Sequence, residues 1–141
     1  MHPHIAALPL RSSFRDMLIR AYLVLMAALF AAFGLWALFE PVAMAAHLGV
    51  EVGGPNGAYE LRGVYGGISL AAALMCLAGA LRDPLLGPAL WFITVYMGGY
   101  VFARAAALLL GPPPVGYAAF IAFEVISLLA ALVSLRVLAR R

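Results

Sequence analysis

The sequence predicts an all-α fold: an integral membrane up-down-up-down four-helix bundle with a short interfacial helix in its first outer loop. Three observations carry that prediction. The 141 residues are 66% hydrophobic and only 11% charged, with a mean hydropathy of +1.04. A soluble domain carries about a quarter charged residues, so this chain cannot clothe a water-facing surface. Four apolar runs are long enough to span a bilayer, and the segments between the last three are short and marked by Pro and Gly. Helices are the form expected, because an open sheet would leave backbone groups unpaired in lipid.

The first span runs over about 21–39, the second 59–81, the third 86–110 and the fourth 115–137, with tails at 1–20 and 138–141. Each matches the ~20 residues that cross ~30 Å of hydrocarbon at ~1.5 Å per residue. Span 1 exceeds the ~7–15-residue apolar core of a signal peptide and is read as an uncleaved anchor. Between spans 1 and 2, PVAMAAHLG opens on Pro41 and closes on Gly49, the asymmetry of a short helix. It is expected to lie at the outer surface, and Asn56 to cap span 2. LRDPLLG and GPPPVG form the other two connections, short enough to make neighbouring spans antiparallel. One domain accounts for the whole chain.

Every one of the nine basic residues is Arg. Arg11, Arg15, Arg20, Arg82, Arg136, Arg140 and Arg141 fall on one side of an even-numbered bundle, which the positive-inside rule places in the cytoplasm with both termini. The expected location is a bacterial inner membrane. No basic patch gathers aromatic side chains into a stacking platform, so nucleic acid is not an expected partner. The lone Cys76 sits mid-span and excludes a disulfide framework; it is read as a buried structural thiol.

Two charges lie deep. Insertion scales charge ~2.5–3.5 kcal/mol for an ionised side chain at a helix centre, so each needs a partner or a task. Glu124 lies ~10 Å inside span 4 and Arg104 ~9 Å inside span 3, both from the outer end. Adjacent antiparallel helices bring them to one level and predict an ion pair. Along span 4, Tyr117, Phe120, Glu124, Ser127, Ala131 and Ser134 follow a 3-4-3-4-3 rhythm that sets polar and small groups on one stripe. Tyr96, Tyr100 and Arg104 share a face of span 3. In the segment YELRGVYGG, Arg62, Tyr65, Gly66 and Ser69 share a face of span 2, while Glu60 points away from them. Glu60 and Arg62 therefore do not pair with each other.

The candidate ligand-binding residues are Glu60, Arg62, Tyr65, Tyr96, Tyr100, Arg104 and Glu124. Plainer roles stand beside them: Glu60 as a first-turn partner of the helix dipole, Arg62 as a snorkelling contact to lipid phosphates, and Arg104–Glu124 as interhelical glue. Tyr59 and Tyr117 read as interfacial belt residues and His47 as a surface imidazole; His2 and His4 sit in the amino-terminal tail. Gly63, Gly66, Gly67, Gly98 and Gly99 read as sites of close helix packing.

FEPVAMAAHLG followed by YELRGVYGG resembles an uncharacterised bacterial family of short four-helix membrane proteins, a domain of unknown function. The resemblance rests on Pro41, Gly49, Glu60, Arg62, Tyr65, Gly66 and Gly67 and covers about Ala21 to Leu138. It implies the architecture and singles out span 2, and it implies no activity.

Three function classes fit. The first binds a small amphiphile (a lipid, quinone or isoprenoid) in an outward-facing polar pocket between spans 2, 3 and 4. A second is a cofactor-free acid/base enzyme of isomerase or cyclase type, using Glu60 or Glu124 with a tyrosine. The third is a structural or accessory subunit, including a homo-oligomer. No metal-ligand spacing, nucleotide loop or Ser–His–Asp arrangement occurs, so no cofactor is expected.

Overall fold

The computed structural model describes residues 14–140, and the expectations for His2, His4, Arg11 and Arg141 lie outside them. Five helices occur in order: α1 (Phe14–Phe39), α2 (Pro41–His47), α3 (Gly54–Leu81), α4 (Asp83–Leu110) and α5 (Ala118–Leu138). No strand occurs among the described residues. Four of the helices, α1, α3, α4 and α5, are long and apolar enough to cross a membrane, the pattern of a multi-pass membrane protein.

The helices outrun the apolar runs that predicted them. α1 starts at Phe14 rather than Ala21, and α3 at Gly54 rather than Tyr59. Loss of apolarity marks where the hydrocarbon ends, whereas backbone hydrogen bonding continues until a breaker stops it; FRDMLIR contains none. Asn56 consequently sits inside the first turn of α3, where Gly53 is the N-cap residue and no side chain caps the helix. The connection read from LRDPLLG shrinks to Arg82 alone, in extended conformation. Asp83 already opens α4, with Pro84 in its first turn, where a missing N–H costs nothing. α5 begins later than expected, because Tyr117 is its N-cap residue.

α2 forms where the Pro41 and Gly49 signals placed it. Gly49 has φ +70°, Val50 N–H donates to the Ala45 carbonyl at 2.9 Å, and Gly49 N–H to the Ala46 carbonyl at 3.0 Å. This crossed pair is a Schellman ending, which requires a residue that tolerates the left-handed region.

Consecutive long helices pack against one another, α1 on α3, α3 on α4 and α4 on α5, whereas α1 and α5 meet only sparsely. Contacts run in opposite senses along α1 and α3. Arg20, near the start of α1, hydrogen-bonds the Ala80 carbonyl and Asp83 beside the end of α3; Arg62, early in α3, reaches Leu38 at the end of α1. The core combines Leu23, Met26 and Phe30 of α1 with Ala72, Cys76 and Ala80 of α3 and Leu90, Ile93 and Met97 of α4. Cys76 is fully buried there.

The glycines that permit close approach are mostly not the ones the motif suggested. A Cβ on Gly79 would stand 2.3 Å from the Ala89 Cβ, and one on Gly34 would stand 3.0 Å from Leu70 and 3.1 Å from the Gly66 carbonyl oxygen. Gly66 is close to the Leu38 backbone, but Gly63 and Gly99 face open space, and Gly67 and Gly98 have only ordinary contacts. Which glycine meets a neighbour depends on where the helices cross, and the crossing lies beyond most of the YGG cluster.

Candidate functional site

Residues 62–67 of α3, RGVYGG, wind as a π-helix before the α-helix resumes at Ile68. The wider turn inserts one extra residue and rotates the start of α3 relative to the remainder of the helix. The α-helical period that put Arg62 on one face with Tyr65 and Ser69 therefore fails here. Arg62 is exposed, and its Nε–H donates to the Leu38 carbonyl at 3.0 Å, satisfying one of the open carbonyls at the end of α1. Tyr65 and the buried Ser69 turn inward. Glu60 is exposed and lies away from both. Glu60 and Arg62 are thus unpaired with each other, as their spacing required, and both stand outside the cavity that the other candidates line.

That cavity has a volume of about 370 Å³, inside the ~300–1,000 Å³ range of small-molecule sites. Tyr65, Tyr96, Tyr100, Arg104 and Glu124 all border it. Tyr96 is placed by its ring neighbours. It meets Phe30 edge-on at 5.5 Å, stacks on Phe92 at 5.5 Å and meets Tyr100 edge-on at 5.3 Å. Phe33 meets Tyr65 edge-on at 6.3 Å.

Toward the loop that joins α4 to α5 stands the ion pair expected from matching depth. Arg104 Nη2 donates to Glu124 Oε1 at 3.1 Å and Nε to Oε2 at 3.3 Å, a two-pronged arrangement that fixes both side chains. The partners differ in exposure: the Glu124 side chain is 8% exposed and that of Arg104 38%. The carboxylate is therefore enclosed, while the guanidinium faces the cavity. Its Nη1 makes no hydrogen bond to a described residue. Glu124, Ser127, Ala131 and Ser134 are all buried, so the stripe read from span 4 turns inward. Among the described residues no buried side-chain polar atom lacks a partner.

Tyr117, at the start of α5, joins the site as well. Its ring lies under the Arg104 guanidinium, 5.2 Å from Cζ to centroid, and its hydroxyl donates to the Leu48 carbonyl at 2.8 Å. Leu48 borders the cavity, so the end of α2 is tied down as a roof. Tyr59 remains exposed, as does His47, whose ring packs edge-on against Trp36 at 5.0 Å.

α1 also supplies a wall that reasoning from spans 2 to 4 missed: Leu29, Phe30 and Phe33. α1 is apolar on every side, so no periodicity distinguishes the positions that face a cavity from those that face lipid. Tyr22, isolated in an apolar run, is the signal that was available. Its hydroxyl donates to the Ser127 carbonyl at 2.8 Å and joins α1 to α5 below the cavity.

No cluster of three or more His, Cys, Asp or Glu that would hold a metal ion occurs among the described residues. A family model described as a domain of unknown function (DUF4345) matches residues 18–135. No curated protein and no solved structure matches the chain.

Proposed function

The chain belongs to the DUF4345 family, and from its site we propose that it is a membrane protein binding a small amphiphilic ligand in the cavity between its helices. The observation that carries the proposal is the unequal exposure of the ion pair. Glu124 is enclosed and holds Arg104, while the guanidinium keeps an edge turned to a chamber bordered by Tyr65, Tyr96 and Tyr100. Interhelical glue has no need of such a chamber, and a guanidinium open to it keeps a donor that Glu124 does not use. Glu60 and Arg62, outside the cavity, have no part in the binding; Arg62 ends α1 and Glu60 faces the surroundings.

In this reading the four long helices form an up-down-up-down bundle across a bacterial inner membrane. Both termini are cytoplasmic, and α2 lies on the outer surface. The distribution of Arg and the opposed contacts of neighbouring helices support it. The cavity then opens in the outer half of the bilayer.

Native mass spectrometry of the protein released from gentle detergent tests the binding. A discrete adduct is expected on the wild type, lost in Arg104→Ala and weakened in Tyr100→Phe, a change that leaves the ion pair in place. An adduct held equally by both variants would overturn the reading.

A further inference from the structure

We infer that the cavity is loaded sideways from the bilayer, through a window between α1 and α5, by a lipid whose head is an uncharged, hydrogen-bond-accepting ring. The inference rests on the binding role proposed above and adds a route and a ligand class.

The window is defined by the groups that frame it. α1 and α5 meet sparsely, and two tyrosines bracket their separation. Below, Tyr22 of α1 donates to the Ser127 carbonyl of α5; above, Tyr117 at the start of α5 donates to the Leu48 carbonyl at the end of α2. From Ser127 to Tyr117 the helix rises ~15 Å at ~1.5 Å per residue. Between these ties, the cavity-lining side chains that are also substantially exposed belong to α1 and α5. Leu29 is 42% exposed, Phe120 39% and Phe123 37%. By contrast, the cavity-lining residues of α3 and α4 are buried or half-buried. The opening therefore faces hydrocarbon with apolar jambs, and the partly exposed Arg104, lying over the Tyr117 ring, stands at its upper end.

The class of head is set by charge and hydrogen-bonding capacity. Arg104 and Glu124 are the charged residues at the cavity, and they cancel. An ionic head would enter a site of no net charge and would lose its hydration without a counter-charge. Each carboxylate oxygen already accepts from Arg104, through Nε and Nη2, and the pure donor left over at the cavity is Arg104 Nη1, beside tyrosine hydroxyls that can also donate. The partner that satisfies donors without bringing charge is a carbonyl or ether oxygen. Walls formed by Phe30, Phe33, Phe120 and Phe123 favour a flat ring over a bulky head. A volume of about 370 Å³ houses such a head but not a long chain, which stays in the bilayer through the window.

The test uses the full-length protein in nanodiscs and three photoreactive probes. All carry the same diazirine-bearing alkyl tail, ending in a benzoquinone ring, a sulfonate or a quaternary ammonium. The quinone probe is expected to label at least ~5-fold more than either charged probe, with cross-links mapping beside the window on α1 and α5. Leu29→Trp and Phe123→Trp narrow the window and are expected to slow labelling ~10-fold, whereas Leu29→Ala speeds it. Leu132→Trp, exposed on α5 below the Tyr22 tie, leaves it unchanged. Equal or stronger labelling by a charged probe overturns the ligand class. Window variants that label at the wild-type rate overturn the route. No labelling by the quinone probe overturns the inference as a whole; an Arg104-dependent adduct in the native mass spectrum would then leave the binding role standing, and its absence would remove that too.

Discussion

At the level of single residues, Arg104 and Glu124 are coupled but not equivalent. Removing the guanidinium leaves an enclosed carboxylate facing helices α4 and α5 with nothing to neutralise it. Removing the carboxylate charge leaves an arginine that is already partly open to the cavity. Arg104→Ala should therefore destabilise the protein by about 1–3 kcal/mol, below the ~3–5 kcal/mol of a fully enclosed pair. Glu124→Gln, which retains an oxygen that can accept from Nε or Nη2, should cost less. Thermal unfolding in detergent compares the two, and a larger loss for Glu124→Gln would contradict the asymmetry. The pair itself was legible from depth alone, because both residues lie a similar number of turns from the loop that joins their helices. Arg62 departs from its expected direction for a local reason. The π turn between it and Tyr65 breaks the period on which an inward direction rests, and no residue in RGVYGG announces that turn.

At the level of helices, two kinds of attachment hold the molecule together. α1, α3 and α4 share an apolar core, and backbone proximity at Gly34, Gly66 and Gly79 draws them close. α5 gives the buried core Ala131, packs Leu128, Leu135, Val137 and Leu138 against it, and is tied further by polar contacts: Glu124 to Arg104, the Ser127 carbonyl to Tyr22, and Tyr117 to the Leu48 carbonyl. In lipid, apolar burial does not drive helices together, so packing and interhelical hydrogen bonds carry the association. Gly79→Ala should cost about 1–3 kcal/mol by forcing α3 and α4 apart. Gly99→Ala, where a methyl meets nothing within 4 Å, should be neutral or stabilising by up to ~1 kcal/mol from helix propensity. Melting temperatures of both variants check this; equal losses would mean that propensity or expression, not the crossing, dominates. Tyr22→Phe should leave the shared core intact and loosen α5, seen as faster amide exchange in the lower half of that helix.

For the whole molecule, the proposed topology places the amino and carboxyl ends on one side of the membrane and α2 on the other. Reporter fusions decide it. A fluorescent protein at the carboxyl terminus should fluoresce, and alkaline phosphatase at the same position should be inactive. Phosphatase inserted after Gly53, in the connection between α2 and α3, should be active. The reverse pattern would invert the bundle and put the cavity in the inner leaflet. The same orientation gives the window its meaning, because a lateral opening draws on whichever leaflet it faces.

Composition, run length and the sparse charges determined by themselves that this chain makes four long apolar helices and a short helix between the first two. They also determined that an arginine and a glutamate meet across its last loop. Those features depend on local backbone chemistry and on position along a helix axis, which a sequence states directly. The tertiary structure alone decided that α1 walls the cavity, that α5 meets α1 only sparsely, and that the Tyr117 hydroxyl ties down the roof. It also decided that Gly34 and Gly79, not the glycines of the YGG cluster alone, set the helix spacing. Each of these depends on the rotation of a helix about its own axis. In a helix apolar on every side, nothing in the residue pattern distinguishes the face that meets lipid from the face that meets a neighbour. Rotation is settled only when the helices pack, by where a missing Cβ lets two backbones touch and where a tyrosine finds a carbonyl.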